Sequence, residues 1–306
     1  MLALVIAAAI ATPIATPIAV NNVIAEPLVD TTTLPSRLHK SEHRQVFDEA
    51  VHILGGNVNV ISQWIRPVRL VVVGDITWDD TGRSDSGTTD SGTTDADNSV
   101  EAHQDSAADY ARAVIAEIVS LANLTVEVAD DSYRDANTYL QSLKRSARFT
   151  LSDCVEAESA GRACGNFFVI FADVVEMEAI TRAIPLRPVY QKAFSNPQGV
   201  KCFFSPFQTG YMEIRQALVF VNKDLPQEMV RTCLQEEIYQ SFGMFNDYTG
   251  STYYSFNNKI EPKVITRYDR ALLETIYDSS FKQGAPVFAV VRKLMERLGL
   301  DPFTEE

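Results

Sequence analysis

Hydrophobic and polar positions along the chain fall into blocks whose period switches between that of a helix and that of a strand. SEHRQVFDEAVHILGG places Val46, Ala50, Ile53 and Leu54 on one helical face and stops at paired glycines, which predicts a short amphipathic helix. After Arg66-Pro67, VRLVVVGD is a continuous β-branched run, as a strand covered on both faces requires. DSAADYARAVIAEIVSLANL brings Tyr110, Val114, Ile118 and Leu121 into helical register. LTVEV and NFFVIFAD read as strands, VVEMEAITRAI as a helix, and GYMEIRQALVFVN as a further strand ending at Asn222. A helix follows, capped by Asp224 with Gln227 three residues on and Pro226 in the first turn. The last third predicts two more helices. ITRYDRALLETIYD starts from a Thr266 cap and buries Leu272, Leu273, Ile276 and Tyr277, and APVFAVVRKLMERLGL closes the chain. Alternating strands and helices with a mainly helical C-terminal part predict an α+β (α/β-like) domain around a mixed sheet.

Two segments break the pattern. Residues 79–105 repeat S-G-T-T-D and hold almost nothing that could enter a core, so they are expected to be a disordered acidic insert within the domain. Residues 1–26 are apolar, rich in alanine and isoleucine, and uncharged before Glu26, which predicts a signal peptide; an uncleaved membrane anchor is the alternative, against which Pro13 and Pro17 interrupt the span. Residues 27–66 then form a lead-in with its helix, and 67–300 a single domain. The expected localisation is secreted or periplasmic, without lipidation, because no cysteine precedes Cys154.

A net charge of −13 argues against nucleic acid and anionic membrane surfaces as partners. Four cysteines allow three pairings. One reading closes a loop with Cys154 and Cys164 and ties Cys202 to Cys233 on the helix after Asn222; four free thiols is the other. P-loop, GxGxxG and GxSxG signatures are missing.

The chemistry concentrates in CLQEEIYQSFGMFND. Laid over the zinc-hydrolase pattern HExxHxxGxxH, it puts Glu236, Gln240 and Asn246 at the three ligand positions, Glu237 at the general base and Gly243 at the turn, with Asp247 an adjacent carboxylate. Residues four apart on a helix share a face, so Glu236 and Gln240 can converge, and a turn at Gly243 can return Asn246 to the same point. Carboxylate and amides are a poor set for catalytic zinc, which needs neutral imidazoles. The chain's four histidines, His39, His43, His52 and His103, cannot supply three to the domain body. No metal and no cofactor is therefore expected. On a helical wheel Val230, Leu234, Ile238, Phe242 and Phe245 form the apolar stripe, with Glu228, Thr232, Gln235 and Tyr239 nearly opposite. Gln240 and Asn246 are expected to donate amide protons to Glu236, whose carboxyl would rise in pKa if buried.

QWIRPVRLVVVGD, ALVFVNKDLPQEMVRTCLQEEIYQSFGMFND and ITRYDRALLETIYDSSFKQG together resemble DUF2927, a family of exported bacterial proteins, over roughly residues 63–284. Its most specific parts here are EExxQxxGxxND and YDxxLLxxIYD. The pattern in turn resembles the metzincin zinc peptidases. The resemblance implies a metzincin/zincin-like domain with a central motif-bearing helix and a substrate-binding edge strand, Ile214 to Val221. The helix Asp269 to Tyr277 is similar to the one that closes matrixin-type domains, whereas no methionine between Met244 and Met295 marks a Met-turn. Three functions follow as expectations. The first is a non-catalytic envelope protein binding a peptide or protein partner, with Tyr253, Tyr254 and Phe256 as aromatic anchors. The second is a peptidase-like hydrolase using Glu237 with a non-standard metal or none, and the third a structural protein.

Overall fold

The computed structural model describes residues 39–55, 59–78, 106–128, 133–145, 165–184, 194, 200–248, 253–255, 265–301 and 303. The leader, the acidic insert at 79–105, Cys154, Cys164 and Phe256 lie outside them.

The sheet is mixed and mostly parallel. Strands β2 (Val68–Val73), β3 (Val126–Val128), β4 (Phe167–Ala172) and β6 (Glu213–Asn222) run parallel in the order β3-β2-β4-β6. β5 (Cys202–Gln208) lies antiparallel along β6, and the two-residue β1 (Gln63–Trp64) pairs with the start of β6. The run VRLVVV forms a strand because both its faces are covered: Leu70 and Val72 face one core, Val71 and Val73 the other. The larger core lies beneath α1 (Lys40–Gly55), α2 (Ala107–Leu121), α5 (Gln227–Gln240), α6 (Arg267–Ile276) and α7 (Val287–Leu298). α3 (Ala136–Arg145) and α4 (Val174–Ala183) cover the opposite face. Val46, Ala50, Ile53 and Leu54 enter the larger core, so α1 is packed within the same body as the sheet.

Several expectations are corrected. Ile214 to Val221 is not an edge: nearly every residue of β6 is buried, between β4 on one side and β5 on the other. The edge is β5, whose run CFFSPFQ is masked as a strand by Pro206. α3 also goes unread in the sequence. α5 begins from Pro226 with no side-chain cap, so Asp224 does not cap it. Of its expected polar strip, Glu228 is exposed and Thr232 half-buried, whereas Gln235 and Tyr239 are buried; α2 packs against the same helix. Thr266 does cap α6, in a reciprocal box with Asp269.

Asp269 and Glu49, both fully buried, also hold the segment after the motif. The Tyr253 N–H donates to Glu49 at 2.9 Å and the Ser255 N–H to Asp269 at 3.1 Å. Burial pushes the Asp269 carboxyl up to about 6 from the 3.8 of an unperturbed aspartate, against the pull of its bonds from Thr266 and Ser255. A carboxyl raised in the folded state adds stability that is complete below the unfolded pKa and is lost as pH rises through the folded one. The stability of the natural chain relative to Asp269→Asn should therefore fall by ~2 kcal/mol between pH 4 and pH 7. Urea unfolding at the two pH values measures this, and a difference independent of pH refutes it.

Candidate ligand cleft

The motif helix is fixed from below by Val230, Leu234, Ile238 and Phe242, all fully buried. Its last carbonyls lead into a tight turn at Gly243, where φ is +113°. A Cβ built there would lie 2.5 Å from the Ser62 carbonyl oxygen, so both the conformation and the close approach demand glycine. The chain then runs out past Phe245, Asn246 and Asp247.

Between this turn, the end of α1 and the edge strand lies a cleft of about 430 Å³. Cys202, Phe203, Phe204, Pro206 and Gln208 line it from β5. Glu237, Gln240, Asn246 and Asp247 line it from the motif, and Leu54, Val60 and Ser62 complete the wall. A disulfide joins Cys202 to Cys233, so edge strand and motif helix are covalently tied across the cleft, as one of the sequence pairings had it.

The structure brings Glu237, Gln240, Asn246 and Asp247 to one cavity, and Glu236, half-buried, is not part of its lining. The Gln240 amide donates to Asp247, and the Asn246 amide donates to the Ile53 carbonyl at 3.1 Å. These two bonds run to Asp247 and to Ile53, and the more deeply buried of the two adjacent glutamates is Glu237. Glu237 and Gln240, three apart on α5, share the face that looks onto the cleft. Among the described residues no group of three or more His, Cys, Asp or Glu is placed to hold a metal ion.

Sequence reasoning missed one neighbour. His52 on α1 reaches the motif, its Nε2 lying 3.0 Å from the Asp247 carbonyl oxygen and its ring edge-to-face with Tyr248. Its place on the polar side of an amphipathic helix gave no signal of this. Tyr253 and Tyr254 do not act as exposed anchors: Tyr254 is buried with its hydroxyl on the Val46 carbonyl, and the half-buried Tyr253 donates its hydroxyl to Glu42.

Residues 45–295 match the family described as "Protein of unknown function (DUF2927)". The chain belongs to the DUF2927 family. No curated protein and no solved structure matches it. The three segments that carry the DUF2927 resemblance meet beneath the cleft. Tyr277, from YDxxLLxxIYD, donates its hydroxyl proton to the Phe242 carbonyl at 3.1 Å and accepts the Trp64 N–H at 3.1 Å. The Trp64 indole N–H donates to the Ser241 carbonyl at 3.0 Å. The carbonyls left over at the end of α5 are satisfied in this way by two aromatic side chains, which set the angle at which the chain leaves Gly243.

The outer edge of the DUF2927 sheet follows from its register. Asn222 donates its N–H to the Lys201 carbonyl at 2.8 Å, so Lys201 and Asn222 form a hydrogen-bonded pair. Alternation along the ladder then turns the backbone groups of Phe203 and Ser205 toward β6 and those of Cys202, Phe204 and Pro206 outward. Pro206, lacking an N–H, occupies a position where none is needed for the ladder. Among the described residues no strand pairs with this outer edge.

Proposed function

We propose that this DUF2927 protein is an exported, non-catalytic binding protein of the envelope, built on a metzincin-like scaffold whose zinc ligands are replaced. It holds an extended segment of a peptide or protein partner along β5. The observation that carries this reading is the cleft itself. An edge strand with outward N–H and C=O groups at Cys202 and Phe204 runs beside a cavity that takes the alternate side chains of an added strand. The metzincin-like scaffold is supported by the antiparallel edge strand beside the motif helix, by the glycine turn that ends that helix, and by α6 beneath it. The replaced zinc site is supported by Gln240 and Asn246, two of the three ligand positions, which share the cleft wall with Glu237. Export is supported by the apolar leader and the disulfide. Among the described residues no helix is long and apolar enough to cross a membrane.

The test compares Phe204→Pro with Phe204→Ala for binding of a labelled heptapeptide selected from a random library. Both variants remove the ring, and proline also removes one outward N–H while sparing the bonds to β6. Phe204→Pro is expected to bind about tenfold more weakly than Phe204→Ala, the worth of one well-made backbone hydrogen bond at an interface. Equal binding by the two rules out pairing along β5.

One observation favours a second reading. Glu237 is buried in the cleft wall at the general-base position, which suits a peptidase-like hydrolase working with a non-standard metal or none. That reading requires turnover of some peptide by the purified chain, abolished in Glu237→Gln.

A further inference from the structure

Resting on the reading of the cleft as a peptide site, we infer that its ligand carries a basic side chain, lysine or arginine, which enters the cleft beside Asp247. The charged side chains of the lining are both carboxylates, Glu237 and Asp247. Asp247 contributes a carboxylate beside the buried Glu237, and three amides each have an N–H engaged by the protein. Gln208 donates to the Ser62 hydroxyl at 2.8 Å, Gln240 donates to Asp247, and Asn246 donates to the Ile53 carbonyl at 3.1 Å. Each of these contacts fixes the amide's orientation and occupies one of its N–H groups, and the carbonyl oxygens of Gln208, Gln240 and Asn246 lie on the other side of each amide. Among the described residues, lysine, arginine and histidine contribute nothing to the lining.

A cavity of this kind asks for a ligand that donates several hydrogen bonds and carries positive charge. An ammonium offers three donors and a guanidinium five. Apolar walls complete the match. The Phe204 and Phe245 rings stack with centroids 5.9 Å apart, and they form a surface for the alkyl stem of lysine or the plane of arginine. The whole-chain charge of −13 attracts the same ligand at longer range, and a low-dielectric cleft concentrates that field.

Labelled heptapeptides of alanine, threonine and valine, with lysine, arginine, norleucine or glutamate at the centre, serve as probes against the full folded chain. Anisotropy is read at low and at high salt. The lysine and arginine peptides should bind at least about tenfold tighter than the norleucine peptide, as a charge-assisted hydrogen bond to a carboxylate implies. The glutamate peptide should be weakest. The lysine-to-norleucine ratio should approach one in Asp247→Asn, where an amide oxygen can still accept from Gln240, and should shrink at high salt. Equal binding of the lysine and norleucine peptides overturns the preference for a basic residue and leaves the peptide cleft standing. Failure of every peptide to bind overturns both. Stoichiometric calcium binding lost in Asp247→Asn, with no lysine preference, overturns the inference in favour of a hard metal ion at the same oxygens.

Discussion

Gly243→Ala is expected to lower the unfolding free energy by about 4 kcal/mol, at the upper end of what single substitutions do. Two effects add. A φ of +113° is one that alanine rarely adopts, and the new Cβ would meet the Ser62 carbonyl oxygen at 2.5 Å, a backbone atom that cannot swing aside. Gly284 separates the two contributions. It also has positive φ, +81°, but nothing lies within 4 Å of a Cβ placed there, so Gly284→Ala should cost only about 1 kcal/mol of backbone strain. Urea unfolding of the two variants tests this, and similar losses in both would show that contact with Ser62 contributes little. Because Ser62 lines the cleft and accepts from Gln208, Gly243→Ala should also displace that wall.

Removing the disulfide is expected to cost ~4 kcal/mol. The bond spans a sequence separation of 31, and closing a loop of that length restricts the unfolded chain by this amount in the chain-entropy account. Cys202→Ser with Cys233→Ser should show the loss in urea unfolding, and reduction of the natural chain should reproduce it. The damage should be local as well as global. β5 has strand neighbours on one side only among the described residues, so without the bond to α5 its amides should exchange faster than those of β4. A loss below ~1 kcal/mol, or unchanged exchange in β5, contradicts this account.

The elements most legible in the sequence owe their signal to local physics. The VRLVVV and FFVIFA runs announce strands buried on both faces, and Thr266 with Asp269 announces a capped helix, because each pattern is set by residues within one or two turns of chain. The chain's membership of DUF2927 was legible in the same way, through spaced residues such as Glu236, Gln240, Gly243 and Asn246. β5 was not. Pro206 argues against a strand until the register shows that its missing N–H points away from β6, and register is a property of two strands.

The site divides along the same line. The sequence by itself determined that Gln240, Gly243, Asn246 and Asp247 follow one another at helix-and-turn spacing, and that the chain is acidic. Only the tertiary structure decided which of two adjacent glutamates enters the cleft. It also decided that Asp247 accepts from Gln240, that His52 arrives from α1, and that β5 rather than β6 is the edge. A helical wheel gives the angles between side chains but not the direction of the wall they face, and that direction is fixed by long-range packing alone.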